Sequence, residues 1–313
     1  MWLNVISHFR DFQQGVSLTG DHHGDAQGKI ERVATCLHNA YHAGIFNPAN
    51  VIPVGSYGKN TSVHFASDID LMYILPNSVL DRFRQNTGNI QSALLQEVRQ
   101  HLLATFPRTE IKADGQVVVV DYQALKFEIV PTFLIQNQLV IADTNDGGRW
   151  KTVTPFAEIE QLNELDKLSH GSARALIKYL KSWKHENAVP LKSIVLEVAA
   201  CAFIRQWPSL ASSIQYNPLY WHDWLVRDFF AFFPRFDSVI LPGSGERIFF
   251  GDGWQRKMQV ALEAAQFACH WEYNDNPVNA EKNWQVIFGR YFKSAPAQEI
   301  QALGIGLRTL LTS

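Results

Sequence analysis

The sequence predicts an α+β protein, with a small mixed sheet backed by helices in its first half and an almost wholly helical second half. Two observations carry this. Between residues 51 and 130, short apolar runs of strand length alternate with segments of helical periodicity, as a mixed sheet with a helical backing requires. From Ser172 onward the apolar spacing is almost entirely helical. The expected domains are residues 1–170 and residues 171–313, the second opening with the Ser172 helix.

The elements follow in chain order. Residues 2–12 form a short amphipathic segment, and residues 19–28 read as a polar, Gly-rich surface loop holding His22 and His23. Residues 29–45 are helical, with Ile30, Val33, Leu37 and Tyr41 on one stripe, and Asn47-Pro48 stops them. Residues 51–54 are a strand ending at Gly55, and residues 68–75 are the next strand. Residues 78–106 are mostly helical, with Ile90, Leu94, Leu95, Val98 and Leu102 as the apolar face, ended by Pro107. Strands near 110–113, 117–120 and 125–130 follow, the last two joined by a turn at Asp121-Tyr122-Gln123. Residues 143–148 read as a loop and 150–155 as a connecting segment. Residues 172–184 are a helix with Leu176, Leu180 and Trp183 on one stripe; Lys178, Lys181 and Lys184 recur on a neighbouring face. Residues 220–233 are aromatic core. Residues 241–253 are a surface loop, since their glycines lack the Lys-Ser/Thr that a phosphate loop needs. Residues 254–271 and 279–292 are the last helices.

Composition narrows the function classes. The chain has 313 residues, 46% of them hydrophobic, with 9 Trp and 20 Phe, enough for a packed core and outside disordered composition. Its 28 basic and 30 acidic residues leave a net charge of −2, which does not favour a protein built around a long nucleic-acid tract. Cys36, Cys201 and Cys269 are far apart with no Cys-x-x-Cys pair, which argues for buried free thiols in a reducing compartment. No signal peptide and no apolar run of about 18 residues is present, so the expectation is a soluble cytoplasmic protein without a membrane partner.

The stretch that carries chemistry is Val54-Gly55-Ser56-Tyr57-Gly58-Lys59-Asn60-Thr61, followed by Ser67-Asp68-Ile69-Asp70-Leu71. It reads as strand, tight turn, start of a short helix, then a second strand. Glycine at 55 lets a backbone N–H approach a bound group closely. Ser56 offers a hydroxyl to a phosphate oxygen, and Lys59 adds a point charge. Asp68 and Asp70 lie two apart in a strand, so both carboxylates share one face. Two adjacent carboxylates repel unless a cation sits between them, and Mg²⁺ is the simplest hard cation with oxygen ligands. A lone Asp-x-Asp is more simply a solvated strand face; the Gly-Ser turn just upstream changes that balance. Glu128, between Phe127 and Ile129, is a third acid inside an apolar strand. Burying it is costly unless it is paired or bound to metal. The plainer reading, an outward-facing Glu on an edge strand, is the less favoured one beside the Gly-Ser and Asp-x-Asp motif.

Gly55-Ser56, Asp68-x-Asp70 and Glu128 together resemble the nucleotidyltransferase superfamily of DNA polymerase beta. More narrowly, the chain resembles the bacterial CD-NTases, relatives of animal cGAS and oligoadenylate synthase. Leu180-Lys181-Ser182-Trp183 is similar to the Lys-x-Trp of their long spine helix, and Leu191-Lys192-Ser193-Ile194-Val195-Leu196-Glu197 to the following Ser-x-x-Leu-Glu. Trp150 to Pro155 resembles the stretch after their third acid, and Trp284-x-x-Ile287-Phe288-Gly289-x-x-Phe292 their C-terminal pattern, which reads as packing. Many relatives have Gly where this chain has Asn60; Asn tolerates the left-handed conformation better than most residues.

The resemblance implies a polymerase-beta-like core plus a helical lobe, with the active site in the cleft between them. It implies that Asp68, Asp70 and Glu128 are catalytic and hold two Mg²⁺ ions, with Mn²⁺ as the alternative. Gly55, Ser56, Lys59, Lys181 and Ser193 are the implied nucleotide-binding residues, Lys181 meeting the triphosphate; Glu197 is as readily a structural partner. The implied activity joins NTPs into a cyclic di- or trinucleotide second messenger of anti-phage signalling. That product activates a separate effector, and a regulatory partner protein is a further implied contact. Strand and spacing arguments alone give metal-dependent nucleotidyl transfer. They leave open transfer to an RNA end, a protein or a small molecule, a non-catalytic nucleotide-binding scaffold, and synthesis activated by double-stranded RNA.

Overall fold

The computed structural model of the chain describes residues 3–65, 68–123, 125–207 and 221–293; Trp2, Ser67 and Tyr220, which belong to expected segments, lie outside them. The chain divides into two compact units. A sheet unit comprises residues 18–159 and 242–244, and a helical unit takes the first 17 positions, residues 160–241 and those from 245 on.

The sheet unit opens with α2 (Gly20–Tyr41), α1 (Leu3–Val16) belonging to the helical unit. It continues through β1 (Val51–Val54), α3 (Gly55–Gly58), β2 (Ile69–Leu75), α4 (Asn77–Arg84), α5 (Ile90–Thr105), β3 (Glu110–Asp114), β4 (Val117–Asp121), β5 (Lys126–Ile135), β6 (Gln138–Asp143) and β7 (Arg149–Val153). Its strands run β1-β2-β5-β4-β3, with β6 pairing both β5 and β7. Only β2 and β5 are parallel, so the sheet is mixed, as expected. Alternation along β2 and β5 sends Ile69, Leu71, Tyr73, Phe127 and Ile129 into one buried cluster with Ile30, Leu37, Leu94, Val98 and Leu102 of α2 and α5. Met72 and Val130 go to the opposite face with Leu139 and Ile141. Asp70 and Glu128, being even-numbered, fall on that second face.

Three expectations differ from this architecture. Residues 19–28 are not a loop: α2 starts at Gly20. Thr19 Oγ1 accepts from the His22 N–H at 3.3 Å and the His22 ring accepts from the Thr19 N–H at 3.2 Å, a capping box that starts the helix where its glycines suggested none. Residues 78–106 break in two around Gly88, and the Asn89 side chain caps α5 by accepting from the Ser92 N–H at 2.9 Å. Residues 149–153 form the strand β7 rather than a connector. Asp143 folds the β6–β7 turn by accepting from the Asn145 N–H and from Arg149.

The helical unit contains α1, the rest of α6 (Pro155–Leu168), α7 (Ser172–Glu186), α8 (Ser193–Ile204), α9 (His222–Phe232), the hairpin β8 (Ser238–Ile240) with β9 (Arg247–Phe249), α10 (Gln255–Tyr273) and α11 (Pro277–Phe288). The hairpin occupies part of the stretch read as a loop. A division at residue 170 would place α1 with the sheet. It goes instead with the helices because Phe9 and Phe12 are fully buried against Tyr179, Trp284, Phe288 and Phe292, with Phe12 and Phe288 centroids 4.5 Å apart. The C-terminal aromatic pattern is therefore packing, and the three cysteines are buried free thiols.

This core also encloses charge. Asp223, 1% exposed, has its carboxyl pushed up to about 7, chiefly by burial and secondarily by Glu272, against hydrogen bonding to the Trp224 backbone and the Arg227 charge. A carboxyl raised from its usual value of about 4 keeps a proton that the unfolded chain releases. Stability from this group is therefore full below about pH 4 and declines as pH rises to about 7. Asp223→Asn should remove that decline and gain on the parent above neutrality by on the order of 4 kcal/mol. Urea midpoints at about pH 5 and about pH 8 check this; a variant equally or more destabilised at both would show that the charge is not a burden.

Candidate active site

The site is built where β1 hands over to α3. β1 pairs with β2 so that Val54 faces Asp70, and β2 pairs with β5 so that Asp70 faces Glu128 in direct register. The two acids thus stand side by side on adjacent parallel strands and share a hydrogen bond. Glu128 is not on an edge: β5 lies between β2 and β4. Burial pushes its carboxyl above the usual range and the charge of Asp68 adds to this; Lys126 and the bond with Asp70 oppose it. Asp68 is exposed and immediately precedes β2.

Gly55 explains itself on Asp70. Its φ of 57° lies in the left-handed region, and a Cβ there would overlap the Asp70 carboxylate. The backbone of the Gly-Ser turn is thus packed directly on the acid. The turn closes with Lys59 N–H donating to Gly55 O, Asn60 N–H to Tyr57 O and Thr61 N–H to Ser56 O. Asn60 holds φ at 55°, a left-handed conformation that Asn tolerates better than most residues. Ser56 Oγ lies 3.1 Å from Ser62 Oγ. Lys59 departs from expectation: it is 5% exposed, and its Nζ meets Glu158 Oε2 at 3.1 Å, so its charge is already answered within the unit.

Within the helical unit, Lys181 Nζ pairs with Glu197 Oε1 at 2.6 Å, both side chains buried. Glu197, which the sequence left undecided, is the counter-charge of Lys181. Lys178 and Lys184 are half-buried rather than solvated. Lys178 donates to Ser17 Oγ, and its ammonium is pushed down by burial and by the charges of Arg174 and Lys181. Lys184 donates to Ser193 Oγ at 3.1 Å and is pushed down by burial. Neither hydroxyl partner is legible in the sequence, because both depend on helix packing.

Among the described residues, no group of three or more His, Cys, Asp and Glu side chains forms a cage for an ion. Asp70 and Glu128 nevertheless fit one. Two carboxylates in register on adjacent strands are a pair of hard oxygen donors, and Mg²⁺ is typically held by one or two carboxylates together with substrate phosphates.

The mixed sheet thus carries two adjacent acids, with a glycine turn packed on one of them. The model of the Second Messenger Oligonucleotide or Dinucleotide Synthetase domain matches residues 3–166, more than half the chain. The chain belongs to that family and is a nucleotidyltransferase of the bacterial CD-NTase group. A search of curated proteins finds no match. Solved structures give the same fold. A complex of E. coli MS115-1 CdnC with HORMA-deltaN is 15% identical over 93% of this chain and 99% of that one, with a TM-score of 0.63. The Bradyrhizobium diazoefficiens CD-NTase CdnG in complex with GTP is 10% identical over 95% and 97%, at 0.62. A mutant of the Vibrio cholerae di-nucleotide cyclase DncV is 13% identical over 96% and 89%, at 0.60. Among the described residues, no helix is long and apolar enough to cross a membrane.

Proposed function

We propose that the enzyme joins nucleoside triphosphates into a cyclic di- or trinucleotide, using Mg²⁺ at Asp68, Asp70 and Glu128. The observation that carries the reading is the Asp70–Glu128 pair, in register on parallel strands with Gly55 packed against it. The reading assigns the turn at Gly55 and Ser56, packed against the Asp70 carboxylate, to the donor phosphates. Asp70 and Glu128 would hold the divalent ions beside the α-phosphate and the acceptor hydroxyl, and Asp68 adds negative charge that favours cation binding. Bound divalent ions, two in number, would lower the pKa of the attacking hydroxyl and balance charge on the leaving pyrophosphate. Lys181 and Ser193 are the remaining nucleotide-binding residues, with Glu197 holding the Lys181 ammonium in place.

Closure follows from proximity. A linear intermediate held with its free hydroxyl near its own α-phosphate reacts unimolecularly. The near-neutral chain suits such a small acceptor better than a long nucleic acid. The product would serve as a second messenger in anti-phage defence, acting on a separate effector. The HORMA-deltaN complex of CdnC is the motive for proposing a regulatory protein here as well.

The test is chemical. Incubated with four labelled NTPs and Mg²⁺, then Mn²⁺, and treated with phosphatase, the enzyme should yield label that resists release, since a ring has no terminal phosphate. Label recovered wholly as free phosphate, or on RNA or protein, would replace cyclisation with a linear or macromolecular transfer.

A further inference from the structure

We propose that Glu158 is a positioning residue for the phosphate-binding turn, acting through Lys59, an inference that rests on the nucleotidyl-transfer reading above. The sequence places Lys59 among the phosphate ligands. Its geometry points elsewhere. The side chain is 5% exposed, and its ammonium meets Glu158 Oε2 at 3.1 Å, in the first turn of α6.

The turn has reason to need such a tether. α3 is only four residues long, with left-handed backbone at its first residue, Gly55, and just beyond its end, at Asn60. One turn of helix has little stability of its own. Its position is set by what it packs on: Gly55 against the Asp70 carboxylate, and Gly58, where a Cβ would strike Pro53 O. Those contacts fix the turn from the strand side. Lys59–Glu158 fixes its end from the other side.

Glu158 is itself held. Gly243, with φ of 77°, lies so close to α6 that a Cβ on it would sit 2.6 Å from both Ala157 Cβ and Thr154 Oγ1. Residues 242–244 thereby clamp the backbone next to Glu158, and they belong to the sheet unit although their neighbours do not. A buried ammonium also needs a fixed counter-charge, because removing one partner of a buried pair leaves the other charge stranded. The pair therefore acts as one device that holds the turn where its backbone can receive phosphates.

A double-mutant cycle tests this. Glu158→Gln, Lys59→Met and the double variant, each confirmed folded by circular dichroism, are assayed with ATP, GTP, CTP and UTP and Mg²⁺. Isothermal titration of each NTP gives a binding readout independent of turnover. Glu158→Gln and Lys59→Met should each raise KM and Kd by about tenfold with kcat within about twofold, and the double variant should be no worse than either single one. Loss at Lys59→Met exceeding that at Glu158→Gln by about tenfold would make Lys59 a phosphate ligand and overturn the proposal. So would an unchanged KM and Kd in Glu158→Gln. Full turnover in Asp70→Asn would instead sink the reading on which the proposal rests.

Discussion

Replacing Asp68 and Asp70 together by Asn should leave a folded protein that does not turn over. Both side chains keep their size and an oxygen, but the charge that favours a cation beside Glu128 is gone. Losing carboxylate ligands of this kind costs several kcal/mol of transition-state stabilisation, on the order of 10³-fold or more in rate. The fold should not suffer: Asp68 is exposed, and Asn at position 70 can still hydrogen bond to Glu128. Asn at position 68 also removes the like charge that helps push Glu128 up. Pyrophosphate release measured on a variant with unaltered circular dichroism checks it. A parent-like rate would remove the carboxylates from the chemistry.

Gly55→Ala should do nearly as much damage with one methyl group. At φ of 57° the new Cβ is strained, costing about 1–2 kcal/mol, and it occupies the space of the Asp70 carboxylate. Either the turn or the acid must move by about an ångström, a displacement that costs on the order of 10²-fold in rate. Its stability loss should be small beside its loss of activity. Thermal unfolding and pyrophosphate release on the same sample separate the two effects; a variant losing neither would show that the turn and Asp70 are not in contact.

Much of this site was legible in the sequence because its logic is local. Gly55, Asp68 and Asp70 lie within sixteen positions, and period-two alternation suggested one shared face, although β2 starts only at Ile69 and leaves Asp68 just before the strand. Glu128 could be suspected from its apolar neighbours, but its register with Asp70 depends on a parallel pairing across 58 positions, which no local pattern shows. The roles of the lysines were the least legible. Lys59 and Lys181 look alike as exposed cations in a sequence, whereas each is buried against a particular carboxylate, Glu158 and Glu197, brought to it by packing. The misread helix start at Gly20 has a local cause: three glycines outweighed a capping pair, Thr19 and His22, that uses a ring nitrogen where Glu or Gln is the usual signal. The strand at 149–153 was hidden for the opposite reason, since its partner β6 and its turn at Asp143 supply the order that its own residues do not.

The central claim is that Asp70 and Glu128 together hold a divalent cation that serves nucleotidyl transfer. Mn²⁺ binding, followed by the loss of the free-ion signal in electron paramagnetic resonance with a non-hydrolysable NTP present, tests it most directly. The parent should bind Mn²⁺, and Asp70→Asn and Glu128→Gln should each weaken that binding by on the order of 10-fold or more while remaining folded. Undiminished Mn²⁺ binding in either variant would contradict the claim.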